Sequence, residues 1–221
     1  MPKYSCMVPS VQLIPCVKIL LTSFLNSSNI KMNIGFWLKE GFFHILDIDG
    51  FDHILFLAAT LGFFLFQHWK KVIYKLSIFT LGHTISLIWV GFNGPLFSIL
   101  WIEVLILLTI FFTGLIKILE VNEPHKILNY SAILVFGLIH GMGFAKQWVS
   151  IFPFTEIGVG SALFFFNVGI ELAQIICAMV FLALNIFLFR LKLKPSNISK
   201  FWGFLALLTS MSLLFQIIKF S

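Results

Sequence analysis

Long apolar runs decide what this chain can fold into. Six windows near the roughly 20 residues needed to cross a hydrocarbon core run at about 52 to 68, 72 to 92, 97 to 119, 127 to 146, 158 to 189 and 199 to 219. The polar breaks between them are short: HWKK, NGP, EVNEPHK, QWVSIFPFTE and RLKLKPSNISK. Composition agrees, with 59% hydrophobic residues, 28 phenylalanines, 11% charged residues and a mean hydropathy of +1.01, far outside the range of soluble domains. The expected fold is an all-α, polytopic membrane bundle of about six transmembrane helices in one domain over 32–221. A short interfacial helix precedes it. In IGFWLKEGFFHIL at 34–46, Ile34, Trp37, Leu38 and Ile45 form an apolar side, with Lys39 and Glu40 facing water. Residues 1–31 hold only VKILLTSFL, too short to span and without a clean cleavage site. They read as a poorly ordered segment or a weak signal-like stretch, with Met32 as an alternative start.

A formal charge of +6 does not imply nucleic acid here, because the basic residues lie in inter-helix breaks, where Lys and Arg orient a membrane protein. Lys70, Lys71, Lys117, Lys126, Arg190, Lys192, Lys194 and Lys200 adjoin the breaks after the first, third and fifth spans, against Lys31, Lys39, Lys146 and Lys219 on the other side. The odd-numbered breaks are therefore expected in the cytoplasm, with both termini outside. Cys6, Cys16 and Cys177 have no zinc or redox spacing. The chain has no Walker-type phosphate loop, so uphill movement by its own ATPase is not expected.

Depth follows from the rise of 1.5 Å per residue. Asp52 and His53 open the first span at the outer surface, His83 falls near the middle of the second, and Glu103 lies about 9 Å below the outer end of the third. His140 sits in the outer third of the fourth span. Asn167, Glu171 and Gln174 run from the outer half to the midplane of the fifth and share one face of about 60°, in line with Gly160 and Ala178. That face is expected to look into the bundle. Gly137 and Gly141 flank His140 at a small-x-x-x-small spacing that admits a neighbouring helix.

Intramembrane ionisable groups are expensive and mark sites. The candidate metal ligands are His44, Asp52, His53, His83, Glu103, His140 and Glu171, with Ser86, Asn167 and Gln174 as supporting partners. Neutral imidazole mixed with carboxylate suits a divalent transition-metal ion such as nickel, cobalt or zinc, and without thiolates copper(I) fits less well. Each residue has a plainer explanation. Asp52 can cap the helix that starts there, and capping does not exclude ligation. Asp47 and Asp49 resemble a calcium loop, but the remaining spacing is absent and a turn fits better. His68 and His125 fall in cytoplasmic breaks. A single membrane histidine is often an interhelical hydrogen bonder, and the Phe164 to Phe166 stripe is packing or lipid-facing bulk. Convergence of four spans on one depth favours a site.

The segments HILDIDGFDHILF at 44–56, FTLGHTISL at 79–87, the Glu103 of IEV, FGLIHGMGFA at 136–145 and FNVGIELAQ at 166–174 together resemble the HupE/UreJ family of bacterial membrane proteins, in its broader branch. The resemblance implies a permease-like fold of six or seven helices in the bacterial inner membrane and a role in nickel or cobalt uptake. It gives His44, Asp52 and His53 the metal-handling role of a signature in which a histidine precedes Asp-His by five residues. Here seven intervene, and only His140 stands for the family's histidine-rich helix motif.

The leading expectation is a transporter, not an enzyme: a metal-ion permease whose partners are the ion and the bilayer. Capture at His44, Asp52 and His53 is expected to precede transfer to His83, Glu103, His140 and Glu171. One alternative is a metal-dependent intramembrane hydrolase in which zinc on His83, His140 and a carboxylate activates water and Ser86 assists. Another is a non-catalytic assembly partner that keeps the polar residues as interhelical glue.

Overall fold

The computed structural model describes residues 34–47, 51–62, 64, 66–120, 126–151 and 159–220, the side chains of 66, 126, 145–151, 159 and 220 excepted. The expectations for 1–31, Asp49, His125 and Lys146 lie outside what is described. The described residues form seven helices and no strand: α1 Ile34–Leu46, α2 Phe51–Leu61, α3 Trp69–Asn93, α4 Ile99–Ile118, α5 Lys126–Ile151, α6 Val159–Arg190 and α7 Pro195–Phe220. The last five, α3 to α7, are long and apolar enough to cross a membrane.

The first apolar window behaves differently from the other five. Its helix stops at Leu61, and a 3₁₀ turn at Phe66–His68 leads into α3. Two contacts explain the stop. Gly62 lies flat against Trp202, whose Cβ would stand 2.9 Å from an added methyl group. Asn185 Nδ2 on α6 donates to Leu61 O at 3.1 Å and to Phe64 O at 3.0 Å. Carbonyls that further helix would have satisfied thus find a side-chain partner instead.

The short helix α1 is not simply an amphipathic rod at an interface. It buries Trp37, Gly41 and Ile45, one stripe at i, i+4, i+8, while Ile34, expected on the apolar side, is exposed. The stripe lies along α6 at backbone contact: a Cβ on Gly41 would collide with Phe166 O, and one on Gly169 with Leu38 O. The pair α3 and α5 is equally close. Gly137 meets Phe79 O, Gly82 meets Leu134 O, and Gly141 meets Ser86 Oγ.

Outward faces carry large apolar side chains. Leu81, Ile85, Trp89 and Phe92 on α3 follow one helical stripe and are all exposed, as are Phe164, Phe187 and Phe215. This suits lipid and would be a liability in water. Along Phe164 to Phe166 the stripe divides, Phe164 being exposed and Phe166 fully buried.

Candidate metal centre

Two helix contacts and the start of a third element bring four histidines together. Contact of α1 with α6 at Gly41 sets His44, one turn later, against Phe166, ring centroids 5.9 Å apart. Contact of α3 with α5 at Gly137 and Gly141 sets His83 beside the turn that carries His140. The first turn of α2 supplies His53. Ring centroids then lie 5.0 Å apart for His44 and His53, 5.5 Å for His44 and His83, 5.9 Å for His53 and His83, and 5.3 Å for His53 and His140. One nitrogen from each of His44, His53 and His83 falls within 4.8 Å of the other two.

Second partners orient two of the rings. His53 Nδ1 is 2.8 Å from Asp52 Oδ1, which also accepts the His53 backbone N–H at 2.8 Å. His140 Nδ1 is 2.8 Å from Phe136 O. A carbonyl only accepts, so the His140 proton sits on Nδ1 and the neutral ring presents its Nε2 lone pair. A carboxylate or carbonyl behind an imidazole is the usual support of a metal-ligating histidine. The front nitrogens have no protein partner: His44 Nε2, His53 Nε2, His140 Nε2 and both nitrogens of His83 are buried without a hydrogen bond. Each such group costs about 1–3 kcal/mol of desolvation, which a chain built only for packing would avoid.

A cavity of about 420 Å³ opens onto the cluster. His44, Asp52, His53 and His140 line it, with Phe144 alongside. Exposed Lys39, Asp47 and Glu103 stand at its mouth together with Glu40. His83 does not line the cavity and is fully buried behind it. Aromatic rings close the far side: Phe79 lies 5.9 Å from His53 and 5.1 Å from His140, and Phe56 stacks on Phe79 at 5.0 Å.

Of the candidate residues, His44, Asp52, His53, His83 and His140 come together as one group, not as two successive stations. Glu103 is at the entrance. Glu171 is half-buried on α6 and does not line the cavity. Asn167 and Gln174 face α3: Thr80 Oγ1 donates to Gln174 Oε1 at 3.1 Å, and Thr84 Oγ1 lies 2.8 Å from Asn167 Oδ1. Ser86 donates to His83 O at 2.8 Å and packs against Gly141, so its hydroxyl is engaged within its own helix. Thr80 and Thr84 escaped the sequence reading, although with His83 they form an i, i+3, i+4 polar face. Phe144 also escaped it. Its ring packs 4.0 Å from that of His44 and stacks on Phe166, and nothing distinguishes it in sequence from the other phenylalanines.

A protein-family model described as HupE / UreJ protein matches residues 22–220, a span that includes every residue of the cluster. No curated protein and no solved structure matches the chain.

Proposed function

Since this chain belongs to the HupE/UreJ family, we propose that it is a permease for a divalent transition-metal ion, nickel, cobalt or zinc, in the bacterial inner membrane. The observation that carries this reading is the set of buried imidazole nitrogens without protein partners on His44, His53, His83 and His140, of which those of His44, His53 and His83 converge. Imidazole donors with no thiolate suit these three ions. Bond lengths of about 2.0–2.1 Å place donors around one ion roughly 3.3 Å apart, closer than the 4.8 Å within which the nitrogens of His44, His53 and His83 lie, so binding requires these rings to turn towards the ion.

The residues divide the work by position. Glu40, Asp47 and Glu103 raise the local cation concentration at the entrance. Asp52 holds His53 in its ligating tautomer and offsets part of the ion's charge, and the Phe136 carbonyl holds His140. Phe144 and Phe166 shield His44 from water. Protons leave the imidazoles and carboxylates as the ion binds, and inward movement draws about 2.3 kcal/mol per charge per 100 mV from the membrane potential. The lysine and arginine bias favours an outer side for the cavity.

Purified protein titrated with Co²⁺, followed by its visible absorption, and radiometal uptake into proteoliposomes test this together. The unmodified chain is expected to bind and accumulate the ion, and His53→Ala to weaken binding by about tenfold or more. Bound metal with no uptake ends the permease reading. No bound metal in any condition ends both.

A further inference from the structure

One donor of the cluster stands outside the space through which an ion arrives. A nitrogen of His83 lies within 4.8 Å of one from His44 and one from His53, so the three are placed to share an ion. His44 and His53 line the cavity. His83 does not line it, is fully buried, and has no hydrogen bond at either ring nitrogen. An ion in the cavity therefore meets His44 and His53 but not the third donor.

Two phenylalanines belong to the cavity wall, Phe43 and Phe144. The Phe43 ring pairs with Phe42 at 5.5 Å and with the Lys39 ammonium group at 5.9 Å. Phe144 pairs with the cluster instead. Its centroid is 4.0 Å from that of His44 and 6.5 Å from that of His83, within 27° of parallel to the latter ring. It also stacks on Phe166 at 5.3 Å and 7°. One ring thus touches both a histidine that the cavity reaches and the histidine that it does not. Its place on α5 follows from the sequence: Phe144 comes one turn after His140 and shares its face, and α5 is pinned just before it, where Gly141 meets the backbone of His83. Filling of the core does not account for the ring, because Phe166 is fully buried and Phe144 only half-buried. Its neighbour in the wall is Gly143, which has no side chain, and the cavity of about 420 Å³ leaves the ring room to swing out of the stack.

We propose that Phe144 controls access to His83: packed as it stands, it limits an ion to the donors on the cavity side, and swung into the cavity it admits the ion to His44, His53 and His83 together. This rests on the cluster binding a metal ion, and not on transport. Binding then runs in two steps. The ion is first held by His44 and His53, with water completing its shell. When the ring moves, a metal–water bond breaks, a bond to His83 forms, and the released water leaves through the cavity. Return of the ring then keeps water off the three nitrogens.

Stopped-flow mixing of Co²⁺ with the purified full chain separates the two steps, because six-coordinate Co²⁺ with several waters absorbs weakly and four-coordinate Co²⁺ on imidazoles absorbs strongly. The unmodified chain is expected to give a fast weak rise and then a slower strong one whose rate does not depend on Co²⁺ concentration. His83→Ala is expected to lose the second rise and keep the first. Phe144→Ala and Phe144→Leu are expected to speed the second rise by about tenfold through loss of the ring contacts, and Phe144→Trp to slow it. Thermal unfolding shows which variants keep the fold, and Phe144→Leu, the mildest change, carries the test where Phe144→Ala does not. Two results overturn the proposal: strong absorption that appears in a single step in the unmodified chain, or a second rise whose rate is the same in the unmodified chain, Phe144→Leu and Phe144→Trp. No change in Co²⁺ absorption with the unmodified chain is a different result and ends the metal reading itself.

Discussion

At the scale of single residues the site is defined by what its histidines lack. His53 and His140 each spend one nitrogen on a support, Asp52 and the Phe136 carbonyl, and leave the other bare and buried. The support is expected to matter almost as much as the ligand. Asp52→Asn keeps the size and can still hydrogen-bond, but loses the charge, and metal affinity should fall by about 10–100-fold, read by Co²⁺ titration. Gln174→Leu tests the opposite role. Its partner is Thr80 rather than the cluster, so the change should lower thermal stability by about 1–3 kcal/mol through the stranded Thr80 hydroxyl and leave Co²⁺ affinity unchanged. The histidines were legible in sequence as polar residues where polar residues are costly. Their supports were only half legible: Asp52 is adjacent to its ring in the chain, whereas a backbone carbonyl such as that of Phe136 leaves no mark in a sequence.

At the scale of elements, glycines set the distances. Gly41 lets α1 lie on the backbone of α6, and Gly141 lets α5 lie on α3, so each fixes where a histidine one turn or less away will point. Gly41→Val puts a branched side chain where Phe166 O stands. Overpacking of this kind costs typically 1–3 kcal/mol, and because α1 carries His44, the variant should lose metal affinity along with thermal stability. A change of equal bulk at Phe215, exposed near the end of α7, is expected to alter neither. The small-x-x-x-small spacing around His140 pointed to such contact. The contact at Gly41 was not foreseen, since one glycine in a short helix does not say which partner will use it.

At the scale of the whole molecule the cavity opens onto the histidines, and their burial sets how binding responds to pH. Ligation needs neutral imidazole, and burial holds His44 far below the ordinary imidazole range, at about 3, so Co²⁺ titration is expected to find its contribution to affinity kept from about pH 8 down to about 5 and lost only in stronger acid. Orientation is tested by labelling a cysteine at Lys194, which the charge bias puts in the cytoplasm; reagent on that side alone should reach it. The sequence by itself determined that the chain crosses a membrane by helices, because apolar length is a local property. It also determined which spans carry ionisable groups, because their cost in lipid does not depend on neighbours. Only the tertiary structure decided that α2 stops at Leu61, since Asn185 and Trp202, more than a hundred residues away, satisfy and block its end. Only it gathered His44, His53, His83 and His140 at one place and left Glu171 outside the cavity lining. Depth along an axis is readable from residue count, but rotation about that axis is set by which helix packs on which, and that is a long-range choice.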